Sequence, residues 1–245
     1  MATLQLPTKA RLYRFSKLDA AAIIVYLGLS VGLSVGAPWL AQIVESLKLD
    51  PYTATYAVNL VFYLAVGAVA LVAARHVVAR DARILAQRPG FTVAMVPLAV
   101  VAMLILTAVL VIAGGVNPGV SVNQQGLEDL TRNVPLWLMG PVLVIIGPFV
   151  EEYMFRHLLI GKLSQKINVW ICAGLSVVLF AGLHVVGKEA LSLTTLLPYV
   201  AMGITLVGVY LWTGKNVMFS YLVHAAKNLM AVVILYSVPV EMLQR

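Results

Sequence analysis

The chain has 245 residues, of which 61% are hydrophobic and 11% charged, with a mean hydropathy of +0.95. Soluble domains carry about 25% charged residues, so there is too little polar side chain here to cover a water-facing surface; a soluble globular protein, a disordered tail and a nucleic-acid-binding domain are excluded. The net charge of +7 then reads as Lys and Arg retained in cytoplasmic loops, not as a sign of a nucleic-acid partner.

A membrane-spanning helix needs about 20 mainly apolar residues. Seven such stretches follow one another: Asp19–Val44, Tyr56–Ala74, Phe91–Val116, Pro135–Leu163, Val169–Val186, Leu193–Trp212 and Val217–Val238. The expected fold class is all-α, a polytopic transmembrane helical bundle of about seven spans, with residues 1–245 as a single membrane-embedded domain. Ahead of the first span stand Lys9, Arg11, Arg14 and Lys17, as in a signal peptide. The apolar stretch behind them exceeds the roughly 7–15 residues of a cleaved segment, so an uncleaved first span is expected. Gly114–Asn133, which contains Gly, Asn, Gln and Pro, is expected to be an external loop; an amphipathic re-entrant piece is the alternative, without support in the sequence. Pro141 and Pro148 are expected to bend the fourth span, since a proline inside a helix removes a hydrogen bond. The single cysteine, Cys172, lies in an apolar run and reads as a small buried hydrophobe.

Charge sets the expected orientation. The N-terminal segment, the second loop (Arg75, Arg80, Arg83, Arg88), the fourth (Lys162, Lys166) and the sixth (Lys215) are basic. The intervening loops hold Glu45, Lys48 and Asp50; Glu128, Asp129 and Arg132; and Lys188 and Glu189. The positive-inside rule places the N-terminus in the cytoplasm. Trp39 and Trp137 then fall at outer interfaces, and Trp170 and Trp212 at inner ones, as an aromatic belt requires.

Away from the span ends, four charged residues fall inside spans: Glu151, Glu152 and Arg156 in the fourth and Lys227 in the seventh. Each costs roughly 2.5–3.5 kcal/mol at the centre of a span, which marks it as functional by default. Glu152 and Arg156, four apart, are neighbours on one helix face, which leaves Glu151 over. Lys227 is open to pairing with a glutamate, receiving a substrate carboxylate or snorkelling to the interface. His184 lies near the far end of the fifth span, and His224 and Asn228 share a face of the seventh; His157 reads as interfacial or hydrogen-bonded. If the fourth and fifth spans turn near Lys166, Glu151 and His184 lie roughly 22 and 27 Å from the turn at about 1.5 Å per residue. By the same rise His224 lies only about 13 Å from Lys215.

A carboxylate and an imidazole at a membrane cavity suffice to activate water, and a second histidine with an asparagine supplies donors for an oxyanion. Ser176 and Ser220 lack the setting of an activated nucleophile. A zinc site of Glu151, His184 and His224 has suitable ligand types but not the His-Glu-x-x-His arrangement, so no metal or other cofactor is expected.

Glu151-Glu152-Tyr-Met-Phe-Arg156, Phe180-Ala-Gly-Leu-His184 and His224-Ala-Ala-Lys-Asn228 match Glu-Glu-x-x-x-Arg, Phe-x-x-x-His and His-x-x-x-Asn. In this order, within residues 135–238, they resemble the three motifs of the CAAX protease and bacteriocin-processing (Abi) family. These are glutamate-type intramembrane endopeptidases related to the type II CAAX prenyl endopeptidases. The resemblance implies that Glu151 and His184 activate water and that His224 and Asn228 stabilise the oxyanion. It also implies that Glu152 and Arg156 hold the helix and orient Glu151, and that Phe180 walls the site. His157 departs from the glycine that many members carry after the arginine. The implied partners are a protein or peptide substrate and the lipid bilayer. The small chain looks like the prokaryotic members, which argues against prenylated substrates and for a prokaryotic cell membrane. Two other classes are a proton-coupled transporter relaying through Glu151, Glu152, His184 and Lys227, and a non-catalytic binding or immunity protein of the same fold. The transporter lacks the repeated halves usual for that class.

Overall fold

The structure, a computed structural model, describes residues 12–115, 122–185 and 192–237. Lys9, Arg11, Lys188 and Glu189, and the expected span ends at Val116, Val186 and Val238, lie outside the described residues. Among the described residues there are eight helices and no strand. They are α1 (Lys17–Ser46), α2 (Pro51–Ala86), α3 (Pro89–Ala113), α4 (Val122–Asn133), α5 (Leu136–Gln165), α6 (Val169–Val185), α7 (Leu193–Trp212) and α8 (Val217–Ser237). Six of them are long and apolar enough to cross a membrane, namely all but α4 and α6. The fifth expected span is α6, an apolar helix of 17 residues. The protein is a polytopic helical bundle and an integral membrane protein.

The surface is that of a bundle solvated by lipid. On α1, Ile24, Leu27, Val31, Val35 and Trp39 are exposed, and so are Trp137, Trp170 and Trp212. Inside, Val66 and Ala70 of α2, Val150 and Tyr153 of α5, Phe180 of α6, Leu206 and Tyr210 of α7 and Phe219 and Val223 of α8 form one core. Helix α6 packs against α5 and α7, and α8 reaches α2, α3, α5 and α7. Cys172 is buried and free.

Two segments differ from the sequence expectation. Arg75, Arg80 and Arg83 do not lie in a loop but continue α2 as a helix of 36 residues. Asp50 caps its start by accepting the Thr53 N–H at 2.7 Å, and Pro51 occupies the first turn. Nothing between Ala74 and Ala86 breaks helices, so α2 runs until Pro89 opens the next one. The expected external loop Gly114–Asn133 contains α4, a polar helix whose Leu127 and Leu130 pack on Tyr56, Val134, Met139 and Val142.

Two fully buried aspartates tie the helices together at the end of the bundle where the basic residues gather. Ser16 caps α1 in a reciprocal box with Asp19. Asp19 also accepts the Tyr153 hydroxyl at 2.7 Å and the Lys162 ammonium at 2.6 Å, fastening α1 to α5. Asp81 accepts the Val217 N–H at 2.7 Å and the Arg80 guanidinium at 2.6 Å, fastening the first turn of α8 to α2. The α7–α8 turn uses left-handed backbone at Gly214 and Lys215. It docks on α5 where Lys215 Nζ donates to the Ile160 carbonyl and to Ser164 Oγ. At the same level Gly161 meets Tyr210, whose hydroxyl would lie 2.8 Å from any added Cβ.

Removing one partner of a buried ion pair costs about 3–5 kcal/mol, because the other charge is stranded. Asp19→Leu is therefore expected to lower the thermal melting point in detergent sharply. The double variant Asp19→Leu with Lys162→Met should recover much of the loss.

Candidate active site

The irregularity of α5 builds the site. The helix is π-helical over Pro141–Ile146, α-helical over Gly147–Glu151 and π-helical again over Glu152–Lys162. The expected proline bend thus takes the form of a widened helix, a geometry that recurs at functional sites. In the first wide stretch the Gly147 N–H reaches back to the Val142 carbonyl, and Pro148 has no N–H to give. The Leu143 carbonyl is left without a partner from the following turn. Asn228 of α8 supplies one, its Nδ2 donating at 2.9 Å. A proline in one helix is thereby matched by an asparagine in another, as buried backbone in a bilayer requires.

Glu151 ends the α-helical stretch and Glu152 begins the second π stretch, so the adjacent carboxylates turn to different surroundings. Glu152 is fully buried. Its Oε1 lies 3.1 Å from Arg156 NH1 and 3.0 Å from His224 Nδ1. The Arg156 guanidinium stacks 4.5 Å from the centre of the Phe180 ring. Phe180 in turn meets Phe155 and His224 edge-on and lies 4.7 Å from the His184 ring. Glu151 faces a cavity. Its Oε2 lies 3.9 Å from His184 Nε2 and 3.7 Å from His224 Nε2, and it has no hydrogen-bond partner in the protein. The Glu151 and His184 side chains are 16% and 20% exposed, against 2% for His224 and 0% for Glu152. That gradient separates a reachable pair, Glu151 and His184, from the sealed Glu152, with His224 between them on the cavity wall.

The backbone and carboxylate partners fix the imidazoles. His184 Nδ1 lies 2.8 Å from the Phe180 carbonyl, which only accepts, so Nδ1 carries the proton and Nε2 points at Glu151. The His184 ring stacks on Tyr199, 4.5 Å between centroids. His224 Nδ1 faces the Glu152 carboxylate and donates to it in the same way, leaving Nε2 toward Glu151.

The cavity measures about 380 Å³. Glu151, His184, His224, Lys227 and Asn228 all line it, with Tyr26, Ser30 and Ser34 of α1 and Tyr63 of α2 opposite. Lys227 sits within electrostatic reach of Glu151. The cavity face of α1 had one signal in the sequence: Tyr26, Ser30 and Ser34 repeat at every fourth residue, on one helix face. Tyr63 and Tyr199 had none. His157 lies outside this cavity and is buried between Tyr13 and Tyr153, neither interfacial nor hydrogen-bonded within the protein. Ser176 and Ser220 donate to the Phe155 and Val217 carbonyls and stand apart from the cavity. Among the described residues, no group of three or more His, Cys, Asp or Glu side chains is placed to hold a metal ion.

The sequence left the depths compatible only if the fourth helix projects beyond the membrane; in the fold they agree for a different reason. Lys215 docks at Ile160, not level with Lys166, so Glu151 and His224 each lie nine residues from the same level. A π-helix also covers less axial length per residue than an α-helix, which draws Glu151 nearer to that end.

Residues 133–230 match the family described as type II CAAX prenyl endopeptidase Rce1-like. This segment runs from the end of α4 into α8 and contains all three motifs. A protein named "Putative membrane peptidase YdiL", from Bacillus subtilis (strain 168), is 33% identical over 113 residues. The alignment covers 46% of this chain and 43% of that protein, so the chain spans less than half the length of this relative. No solved structure matches the chain.

The two carboxylates differ in what their neutralisation costs. Glu152→Gln strands the Arg156 charge in a sealed layer and is expected to destabilise by about 3–5 kcal/mol. Glu151→Gln, at the cavity wall, should leave the melting point within a few degrees of the parent. Thermal denaturation of both variants in one detergent checks the order.

Proposed function

We propose that the segment matching the Rce1-like family makes this protein an intramembrane glutamic endopeptidase, which hydrolyses a peptide bond in a membrane-associated protein or peptide without a covalent intermediate. The observation that carries the reading is the convergence of His184 Nε2 and His224 Nε2 on Glu151 Oε2, at 3.9 and 3.7 Å. Gaps of this size are too long for direct hydrogen bonds, and all three atoms face the cavity, from which a water can reach them. Glu151 Oε2 and His184 Nε2 are acceptors facing one point, where a donor belongs, and water is the donor that hydrolysis consumes.

In the proposed reaction Glu151, assisted by His184, takes a proton from water as its oxygen bonds to the scissile carbonyl carbon. The carbonyl electrons move to oxygen. The second Asn228 Nδ2 hydrogen, not used on Leu143, and a protonated His224 supported by Glu152 stabilise that oxyanion. Collapse of the tetrahedral species breaks the C–N bond, and the proton held by the Glu151–His184 pair passes to the leaving nitrogen. No metal enters this scheme; the competing version places zinc on Glu151, His184 and His224. The N-terminus is taken as cytoplasmic, on the charge pattern, in the cell membrane of a prokaryote.

Losing a general base typically costs about 10²–10⁴ in rate, and losing an oxyanion donor about 10²–10³. Glu151→Gln and His184→Ala are each expected to reduce cleavage of a reconstituted peptide substrate by at least that first factor, with the fold intact. Asn228→Ala should fall in the second range. Normal proteolysis by Glu151→Gln would sink the assignment. A chelator is expected to leave the rate unchanged; loss of activity restored by added zinc would favour the metal-dependent version. Cleavage in detergent, without any gradient, decides against a transporter.

A further inference from the structure

A second cavity, of about 420 Å³, opens at the basic end of the bundle, away from Glu151. Three elements build it: the segment before and at the start of α1 (Leu12, Arg14, Ser16, Leu18), one face of α2 (Ala73, Arg75, His76, Val77), and His157 and Lys162 of α5. Three of its lining side chains are cationic and none is acidic. Arg14, Arg75 and His76 are exposed. Lys162 is held by Asp19, so the arginines supply the uncompensated positive charge.

His157 gives the second observation. It is fully buried, lines this cavity, and neither ring nitrogen has a hydrogen-bond partner. A buried imidazole with both nitrogens unsatisfied is costly, and the Tyr13 and Tyr153 rings beside it contact its faces and do not pair with its nitrogens. Its N–H thus stands without a partner in the wall of the cavity. The site also stands where apolar helix gives way to charge: Arg75 follows directly on the apolar run of α2, and Arg14 precedes the first turn of α1. Leu12, Leu18, Ala73 and Val77 supply apolar walls beside the cations.

We infer that this cavity is a binding site for a phosphate-bearing anion, engaged by Arg14, Arg75 and His157, whose chemistry and level in the bundle fit the headgroup of an anionic phospholipid. Arginine forks suit phosphate oxygens, and basic pockets between helices at the bilayer edge take anionic headgroups. Because His157 and Lys162 lie on the helix that carries Glu151, an occupied site would brace α1 and α2 against that helix. The site does not depend on the peptidase reading.

The test is lipid binding by the full-length protein in detergent, followed by native mass spectrometry and thermal melting with added phosphatidylglycerol, phosphatidylcholine or inorganic phosphate. The pocket variant is Arg14→Gln with Arg75→Gln, both exposed and outside the buried ion pairs. The control is Arg83→Gln with Arg88→Gln, exposed at the same end but not lining the cavity. The parent and the control are expected to retain one phosphatidylglycerol and to melt higher with it. The pocket variant should bind it about tenfold more weakly or worse. A melting shift with inorganic phosphate alone, lost in the pocket variant, would assign the site to a free phosphate; a shift with the lipid only would assign it to a headgroup. Equal phosphatidylglycerol binding by parent, pocket variant and control, or no effect of either anion on the parent, would overturn the inference.

Discussion

A charge removed from water into hydrocarbon has to be neutralised by another side chain, and the arrangement of this bundle depends on how it meets that demand. Asp19 joins α1 to α5 through Lys162 and Tyr153, and Asp81 joins α2 to the start of α8. Glu152 joins α5 to α8 through His224 while neutralising Arg156 within its own helix. Apolar packing alone gives lipid-solvated helices little reason to prefer one neighbour, since lipid tails are as apolar as leucine. The ionic contacts supply that preference and fix α5 and α8 in register.

The same register sets the geometry of the candidate site. Glu152, Arg156 and Phe180 form a layer closed to solvent, and against it the two imidazoles are held by their Nδ1 atoms. Both Nε2 atoms are then committed to the side on which Glu151 lies. Holding each ring from behind leaves the reactive edges aligned without contacts from the cavity. The two widened stretches of α5 belong to this design: one frees the Leu143 carbonyl that orients Asn228, and the other separates the environments of adjacent glutamates.

Much of the site was legible in the sequence because charge and histidine are rare in apolar spans. Glu151, Glu152, Arg156, His184, His224 and Asn228 stood out against their neighbours, and the Glu152–Arg156 pairing followed from their spacing of four. Asp19 and Asp81 did not stand out. Each lies beside other charged residues near a predicted span end, where charges ordinarily meet water. Their burial depends on segments that return from 134 to 143 residues away in sequence.

By itself the sequence determined that the chain lives in a bilayer, roughly where its helices run, and which side chains are too costly to be there without a purpose. Those are properties of composition and of spacing along one helix, and both act locally. Only the tertiary structure decided that His224 bridges both glutamates, that Asn228 completes a carbonyl released by Pro148, and that Glu151 faces a cavity while Glu152 is sealed. Depth shows why. Counting α-helical rise from the loops left His224 well short of Glu151, because α5 is not α-helical throughout and α8 begins level with Ile160. Where one helix starts against another is set by contacts between distant segments, which no periodicity within either segment encodes.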